Sequence, residues 1–70
     1  MTYKVEFLRK VTAEEERRTD IIDGEYVYDE TEFDIDADSL AWAMVDIMNL
    51  FNAFVAENGF EDITVTNISF

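Results

Sequence analysis

The chain has no cysteine, no histidine and no proline among its 70 residues, and only two glycines. Without thiols or imidazoles it can form no disulfide, no thiolate nucleophile, no ordinary zinc site and no mechanism that uses a histidine base. Carboxylates and tyrosines remain, but no carboxylate stands in an apolar sequence context that would suit it to acid catalysis. We therefore expect a protein that is not an enzyme and that needs no cofactor.

Positive charge is almost as scarce, with 5 basic residues against 17 acidic ones and a net charge of -12. Nine of the acids lie between Asp20 and Asp38, so the excess negative charge is regional. An apolar content of 49% with 14% aromatics argues against a disordered acidic tail and predicts one compact domain over residues 1–70. All the basic residues lie in the first 18 positions: Lys4, Arg9, Lys10, Arg17 and Arg18.

Long apolar runs are also missing. The start of the chain has no apolar signal region, and the longest apolar segment is interrupted by Asp46, Asn49 and Asn52. These features predict a cytoplasmic protein that does not enter a membrane.

Two strands are predicted in the first half of the chain. Tyr3, Val5 and Phe7 alternate with more polar residues, which indicates a half-buried strand over residues 2–11. For residues 12–16 we expect a hairpin loop in preference to a helical turn, with extended structure from Arg17 onward. Between residues 19 and 37, Asp23-Gly24 either turns a second hairpin or kinks one long strand that runs to Asp36, and a turn at residues 29–31 is a third alternative. We favour the long bulged strand.

The second half predicts a helix and a last strand. Asp38 or Ser39 is a good N-cap, and Gly59 suits the left-handed position that ends a helix. Residues 63–70 are rich in β-branched residues and predict a strand. The fold class is α+β, with a mostly antiparallel sheet of three or four strands and one helix on one face, in ββαβ order. The helix stripe predicted to face the sheet is Leu40, Met44, Ile47, Met48, Phe51, Phe54 and Val55.

Acids occupy every even position from Glu30 to Asp38, while Phe33, Ile35 and Ala37 stand between them. On a strand, successive carboxylates of one face lie about 7 Å apart, which is also about the separation of successive phosphates along a DNA strand. One interpretation is a row of charges that occupies the basic groove of a nucleic-acid-binding protein; the other is a wet strand face that only aids solubility. Direct binding of nucleic acid is not expected. The acidic residues assigned to the partner site are Asp20, Asp23, Glu25, Glu30, Glu32, Asp34, Asp36 and Asp38.

In length, charge and placement of acids, the chain is similar to small acidic inhibitors carried by phages and mobile elements, including DNA mimics that block restriction, repair or CRISPR enzymes. The resemblance implies an inhibitor or adaptor that binds a basic protein surface, in the host cytoplasm if a phage encodes it. It assigns no individual residues.

Asp34, Asp36 and Asp38 match positions 1, 3 and 5 of an EF-hand calcium loop. Position 6 is Ser39 in place of glycine, and position 12 is Val45 in place of a bidentate glutamate. We therefore predict no metal site.

Trp42 points away from the predicted apolar stripe of the helix. Either it packs over another part of the same chain or it anchors a partner or a second copy, because tryptophan is enriched at interface hot spots. The alternative function is thus a structural or assembly module that acts through this helix face, and we expect a weak homodimer with Trp42 near its axis. The residues assigned to the interface are Trp42, Asp46, Asn49, Ala53 and Ala56.

Overall fold

A computed structural model describes residues 1–18 and 25–70 and has an α+β fold, as predicted. Its elements follow each other in the order β-α-β-α-β, so the predicted ββαβ order lacks one short helix. The elements are β1 (Thr2–Lys10), α1 (Ala13–Arg18), β2 (Tyr26–Asp34), α2 (Leu40–Asn58) and β3 (Thr64–Ser69).

The three described strands form one antiparallel sheet in the order β2-β1-β3. The long strand β1 is central, and both of its neighbours are edge strands. A bulge interrupts the pairing of β1 with β3 beside Glu6 and Phe7. The bulge matters for the faces of β3, because Val65 is opposite Phe7 and Ile68 is opposite Val5, so both point to the same side of the sheet.

Alternate residues of β1 are buried beneath α2, as the sequence predicts. Phe7 lies at the centre, with its ring centroid 5.1 Å from that of Phe51 on the helix. Such edge-to-face ring contacts add to the free energy gained by burying the rings. The opposite face of the sheet carries no helix among the described residues. The buried core consists of Tyr3, Val5, Phe7, Ile35, Ala43, Ile47 and Phe51.

Both predicted ends of α2 are confirmed. The Ser39 side chain accepts a hydrogen bond from the Trp42 N–H at 3.3 Å. Gly59 has a φ of 67°, and the Phe60 N–H beyond it donates to the Val55 carbonyl at 3.1 Å. These bonds satisfy backbone groups that the helix itself leaves free, so they fix where it begins and ends.

The predicted apolar stripe of α2 is too wide. Only Ala43, Ile47 and Phe51 are buried, whereas Met48 is 60% exposed and Leu40 is 57% exposed. The outer strands of a three-stranded sheet are about 10 Å apart, which is close to the diameter of one helix. The sheet therefore covers the middle of the stripe and leaves its flanks open.

The prediction of a loop at residues 12–16 followed by extended structure is wrong, because residues 13–18 form α1. Thr12 caps this helix: its Oγ1 accepts from the Glu15 N–H at 3.2 Å, while the Glu15 carboxylate accepts from the Thr12 N–H at 3.0 Å. This reciprocal arrangement is a capping box. The predicted turn or bulge at Asp23-Gly24 lies outside the described residues.

By length and composition, α2 is apolar enough to span a membrane, with 17% of its apolar window buried. A helix packed on the core of a soluble domain passes the same test.

Candidate protein-interaction surfaces

The acidic face is the row formed by Glu30, Glu32 and Asp34 of β2, continued by Asp36 and Asp38. All five residues are exposed. The register places the strand residues opposite Glu6, Lys4 and Thr2, on the side of the sheet that α2 does not cover. The structure thus places Glu30, Glu32 and Asp34 on one side of the sheet, and Asp36 and Asp38 follow them in the segment that leads into α2.

The row does not lie on one strand from end to end, because β2 ends at Asp34. The alternation of buried and exposed residues nevertheless continues beyond β2. Ile35 is buried, and its N–H donates to the Met1 carbonyl at 2.9 Å. Asp36 therefore still points outward, whereas Asp38 belongs to the segment that leads into α2. The long strand is predicted to run to Asp36, whereas β2 ends at Asp34; the predicted exposure of the acids is correct.

Basic groups balance part of the acidic face. The Lys4 ammonium lies 3.3 Å from the Glu6 carboxylate and 3.6 Å from that of Glu30, and the amino terminus lies 3.3 Å from Asp34. The hydrogen bond to Glu6, followed by the charge of Glu30, raises the pKa of Lys4. Exposed ion pairs of this kind contribute little stability. Within residues 1–18 and 25–70, Glu32, Asp36 and Asp38 have no ion pair, so the basic groups leave part of this negative charge unbalanced.

Three predicted members of the acidic site do not join this cluster. Asp20 and Asp23 lie outside the described residues. Glu25 is exposed but precedes β2, about 30 Å along the strand from Asp34. The described part of the chain also contains no cluster of three or more carboxylates placed to hold a metal ion.

A shallow depression of about 530 Å³ lies on the same side of the sheet. Glu6 and Glu30 line it together with Tyr28, whose side chain is 77% exposed. Two carboxylates beside an accessible phenol ring form an environment that favours a cationic side chain.

Trp42 lies on the outer face of α2, as predicted, and is 64% exposed. Asn49, Ala53 and Ala56 share that face and are exposed as well, whereas Asp46 is half-buried on the flank toward β2. The region from Asp20 to Glu32 was the predicted cover for Trp42 within the chain. Among the described residues no element covers Trp42, so residues 25–32 do not; the rest of that region lies outside the described residues. The site is a single large aromatic ring beside small side chains.

The main polar cluster that the sequence analysis missed is centred on Arg9. This arginine is only 6% exposed although it carries a full charge. Its guanidinium makes two hydrogen bonds to the Glu15 carboxylate, at 2.6 and 2.9 Å, and one to Asp29 at 3.0 Å. Its central carbon lies 4.1 Å from the centre of the Phe60 ring. The cluster ties α1, β1, β2 and the end of α2 together.

The charged groups of this cluster shift each other's pKa values. The hydrogen bond from Arg9, with a second from the Thr12 backbone, lowers the pKa of Glu15 to about 2. The same pairing raises the pKa of Arg9 above its ordinary value. The sequence contains a signal for this cluster. Arg9 lies on the same face of β1 as Tyr3, Val5 and Phe7, which is the buried face. A charged residue on a buried face needs a partner of opposite charge. The role of the cluster is to hold elements together, since its charges are already paired.

Comparisons with known proteins find no matching family model, no similar curated protein and no similar solved structure.

Proposed function

We propose that the protein is a small inhibitor or adaptor that binds a basic, nucleic-acid-binding groove of a partner protein through the acidic face. The observation that carries the proposal is the row of exposed carboxylates on the uncovered side of the sheet, in a chain with a net charge of -12. Such a row attracts Lys and Arg side chains and repels nucleic acid itself.

The depression beside the acidic face supports a more specific contact. A partner Lys or Arg side chain placed between Glu6 and Glu30 would replace Lys4 as their counter-charge and could lie over the Tyr28 ring. Arginine fits this position better than lysine, because its planar guanidinium can stack and bind carboxylates with two hydrogen bonds. Aromatic stacking would give the contact an orientation that charge alone does not.

The test is affinity capture from a bacterial lysate, elution with a salt gradient, and competition with duplex DNA against each captured protein. A partner that matches the proposal is a nucleic-acid-binding protein that elutes with salt and that DNA displaces. The variant Glu32→Gln, Asp34→Asn, Asp36→Asn should slow its association at low salt by about tenfold or more, because exposed charges act mainly on the encounter rate.

The matched control is Glu57→Gln, Glu61→Gln, Asp62→Asn, which removes the same formal charge far from Asp34. Asp62 accepts a hydrogen bond from the Tyr26 hydroxyl, at the end of β2 opposite to Asp34. If both triple variants associate equally slowly, only net charge matters and the acidic face is not the site. If neither is slower than the parent, the proposal is wrong.

A second function is favoured by the exposure of Trp42. In this alternative the acidity serves solubility, and an assembly partner binds the outer face of α2. Trp42→Ala would then abolish capture of the partner, whereas the triple variant of the acidic face would leave it unchanged. The same capture experiment therefore separates the two functions.

A further inference from the structure

The two edges of the sheet are protected very differently. Edge strands of soluble monomers are usually protected by charges, proline or a covering element, because their free backbone groups can pair with another chain. The β2 edge carries four acids over residues 29–34. The β3 edge has no charged side chain and no proline over residues 63–70, and no described element covers it; the bulge beside Glu6 and Phe7 is the protecting feature that this edge does carry.

The sequence of β3 and its flanks is a palindrome in polarity. Residues 63–70 have the sequence Ile-Thr-Val-Thr-Asn-Ile-Ser-Phe, which gives the same apolar and polar order in both directions. An antiparallel pairing of two identical strands about a two-fold axis between Thr66 and Asn67 places Val65 opposite Ile68 of the second copy and Thr64 opposite Ser69. A contact between identical surfaces requires this kind of self-matching.

The faces of the strand agree with this register. Val65 and Ile68 both point to the α2 side because of the bulge, and they line one groove together with Ile63. Phe70 also lies on that side, where its ring centroid is 5.3 Å from that of Tyr3. Thr64 and Ser69 are opposite Leu8 and Lys4, on the other side of the sheet. Every predicted pair therefore joins side chains that point to the same face.

We propose that β3 pairs with β3 of a second copy of this chain, to give a continuous six-stranded sheet with both α2 helices on one face. The occupant is a second copy because the order of apolar and polar residues in this strand matches itself in the antiparallel direction. The proposed function does not depend on this dimer, because its charged residues lie on β1, on β2 and in the segment after β2, and none lies on β3.

Apolar side chains next to the β3 edge would be buried by this dimer. The groove between α2 and β3 has a volume of about 260 Å³ and a predominantly apolar lining that includes Met48 and Val55. Small-molecule sites usually have volumes of about 300–1,000 Å³, so this open groove is small for such a ligand. Met48, which is 60% exposed, and Val65, which is 44% exposed, would face the corresponding groove of the second copy.

The distribution of charge permits pairing of two copies through β3 and opposes pairing through β2. In the sheet order β2-β1-β3, pairing through β3 places the two β2 strands at the outer ends, five strand spacings or about 24 Å apart. Pairing through β2 would instead place the two acidic rows directly beside each other, where like charges destabilise a sheet.

Disulfide trapping tests the register. The chain has no cysteine, so introduced thiols have no competing partner. Thr64→Cys and Ser69→Cys on separate chains should form a disulfide when mixed under mild oxidation, because directly opposed residues have Cα atoms about 4.5–5.5 Å apart. Either variant alone should not form a disulfide-linked dimer, since residue 64 of one copy lies about five residues along the strand from residue 64 of the other.

Sedimentation equilibrium of Val65→Lys and Val45→Lys supplies the second measurement. The two valines are almost equally exposed, at 44% and 46%, so neither substitution is expected to prevent folding. Val65→Lys should weaken dimerisation at least tenfold, and Val45→Lys, on the outer part of α2 near Trp42, should leave it unchanged. A monomeric parent at all concentrations overturns the proposal. Loss of the dimer in Val45→Lys alone also overturns it and favours a contact through the helix face around Trp42.

Discussion

Arg9 is a charged residue buried at a position that strand alternation assigns to the core. Its position in β1 belongs to the buried phase, and the structure keeps it there with its charge intact. A buried charge is tolerated only when hydrogen-bonded partners of opposite charge replace water. Glu15 and Asp29 supply those partners from 6 and 20 positions away in the sequence. Burial of Arg9 was predictable from its phase, whereas its pairing with Asp29 depends on the strand register.

The lowered pKa of Glu15 predicts how stability responds to acid. Its folded-state value of about 2 lies below its ordinary value of 4.5, so the ionised group contributes stability above about pH 4.5 that is lost as the pH falls towards 2. Glu15→Gln should lower the free energy of unfolding at pH 7 by about 1–2 kcal/mol, a range that allows for solvent screening of a side chain that is 34% exposed.

Urea denaturation of the parent and of Glu15→Gln between pH 7 and pH 2 measures the difference directly. The two curves of stability against pH should converge as the pH falls from 5 to 2. Glu16→Gln removes the same charge one residue further along α1 and should follow the parent throughout. A constant difference between parent and Glu15→Gln at all pH values would mean that the ionised pair with Arg9 does not stabilise the fold.

Among the elements, those with strong local signals were predicted best. The alternation of apolar and polar residues predicted β1, the capping residues predicted both ends of α2, and a run of β-branched residues predicted β3. The dense charge of residues 12–16 favours a loop, and this signal conceals α1 even though Thr12 and Glu15 have the spacing of a capping box. The exposure of Met48 was not visible in the sequence, since it depends on how few strands lie beneath α2.

The left-handed end of α2 gives a prediction at the same scale. Gly59 has a φ of 67°, and a Cβ placed there would meet nothing within 4 Å. Gly59→Ala should therefore lower the free energy of unfolding by about 1 kcal/mol through backbone strain alone. Gly59→Asn should lower it less, because asparagine tolerates this conformation better. Thermal denaturation of both variants checks the order; a fully neutral Gly59→Ala would contradict this geometry.

At the scale of the whole molecule, charge and apolar surface occupy different edges of one sheet. The acids gather along β2 and the segment after it, while β3 and the adjacent flank of α2 carry exposed apolar residues. Composition and charge pattern predicted the acidic face, because exposed acids follow directly from strand alternation. The asymmetry between the edges could not be predicted, since it requires the strand order β2-β1-β3, which local patterns do not specify.

This separation predicts a distinctive salt response for the proposed dimer. The two acidic edges would lie about 24 Å apart, which is less than the Debye length of about 30 Å at 0.01 M salt but well beyond the length of about 8 Å at 0.15 M. The dimer dissociation constant should therefore fall as salt rises from 0.01 to 0.15 M and then level off.

The triple variant Glu32→Gln, Asp34→Asn, Asp36→Asn should reduce this salt dependence without weakening the dimer at 0.15 M, since no altered side chain lies at the β3 edge. Sedimentation equilibrium across that range measures both effects. Continued strengthening well above 0.15 M would instead indicate that the acids of the two copies lie close together, as in pairing through β2.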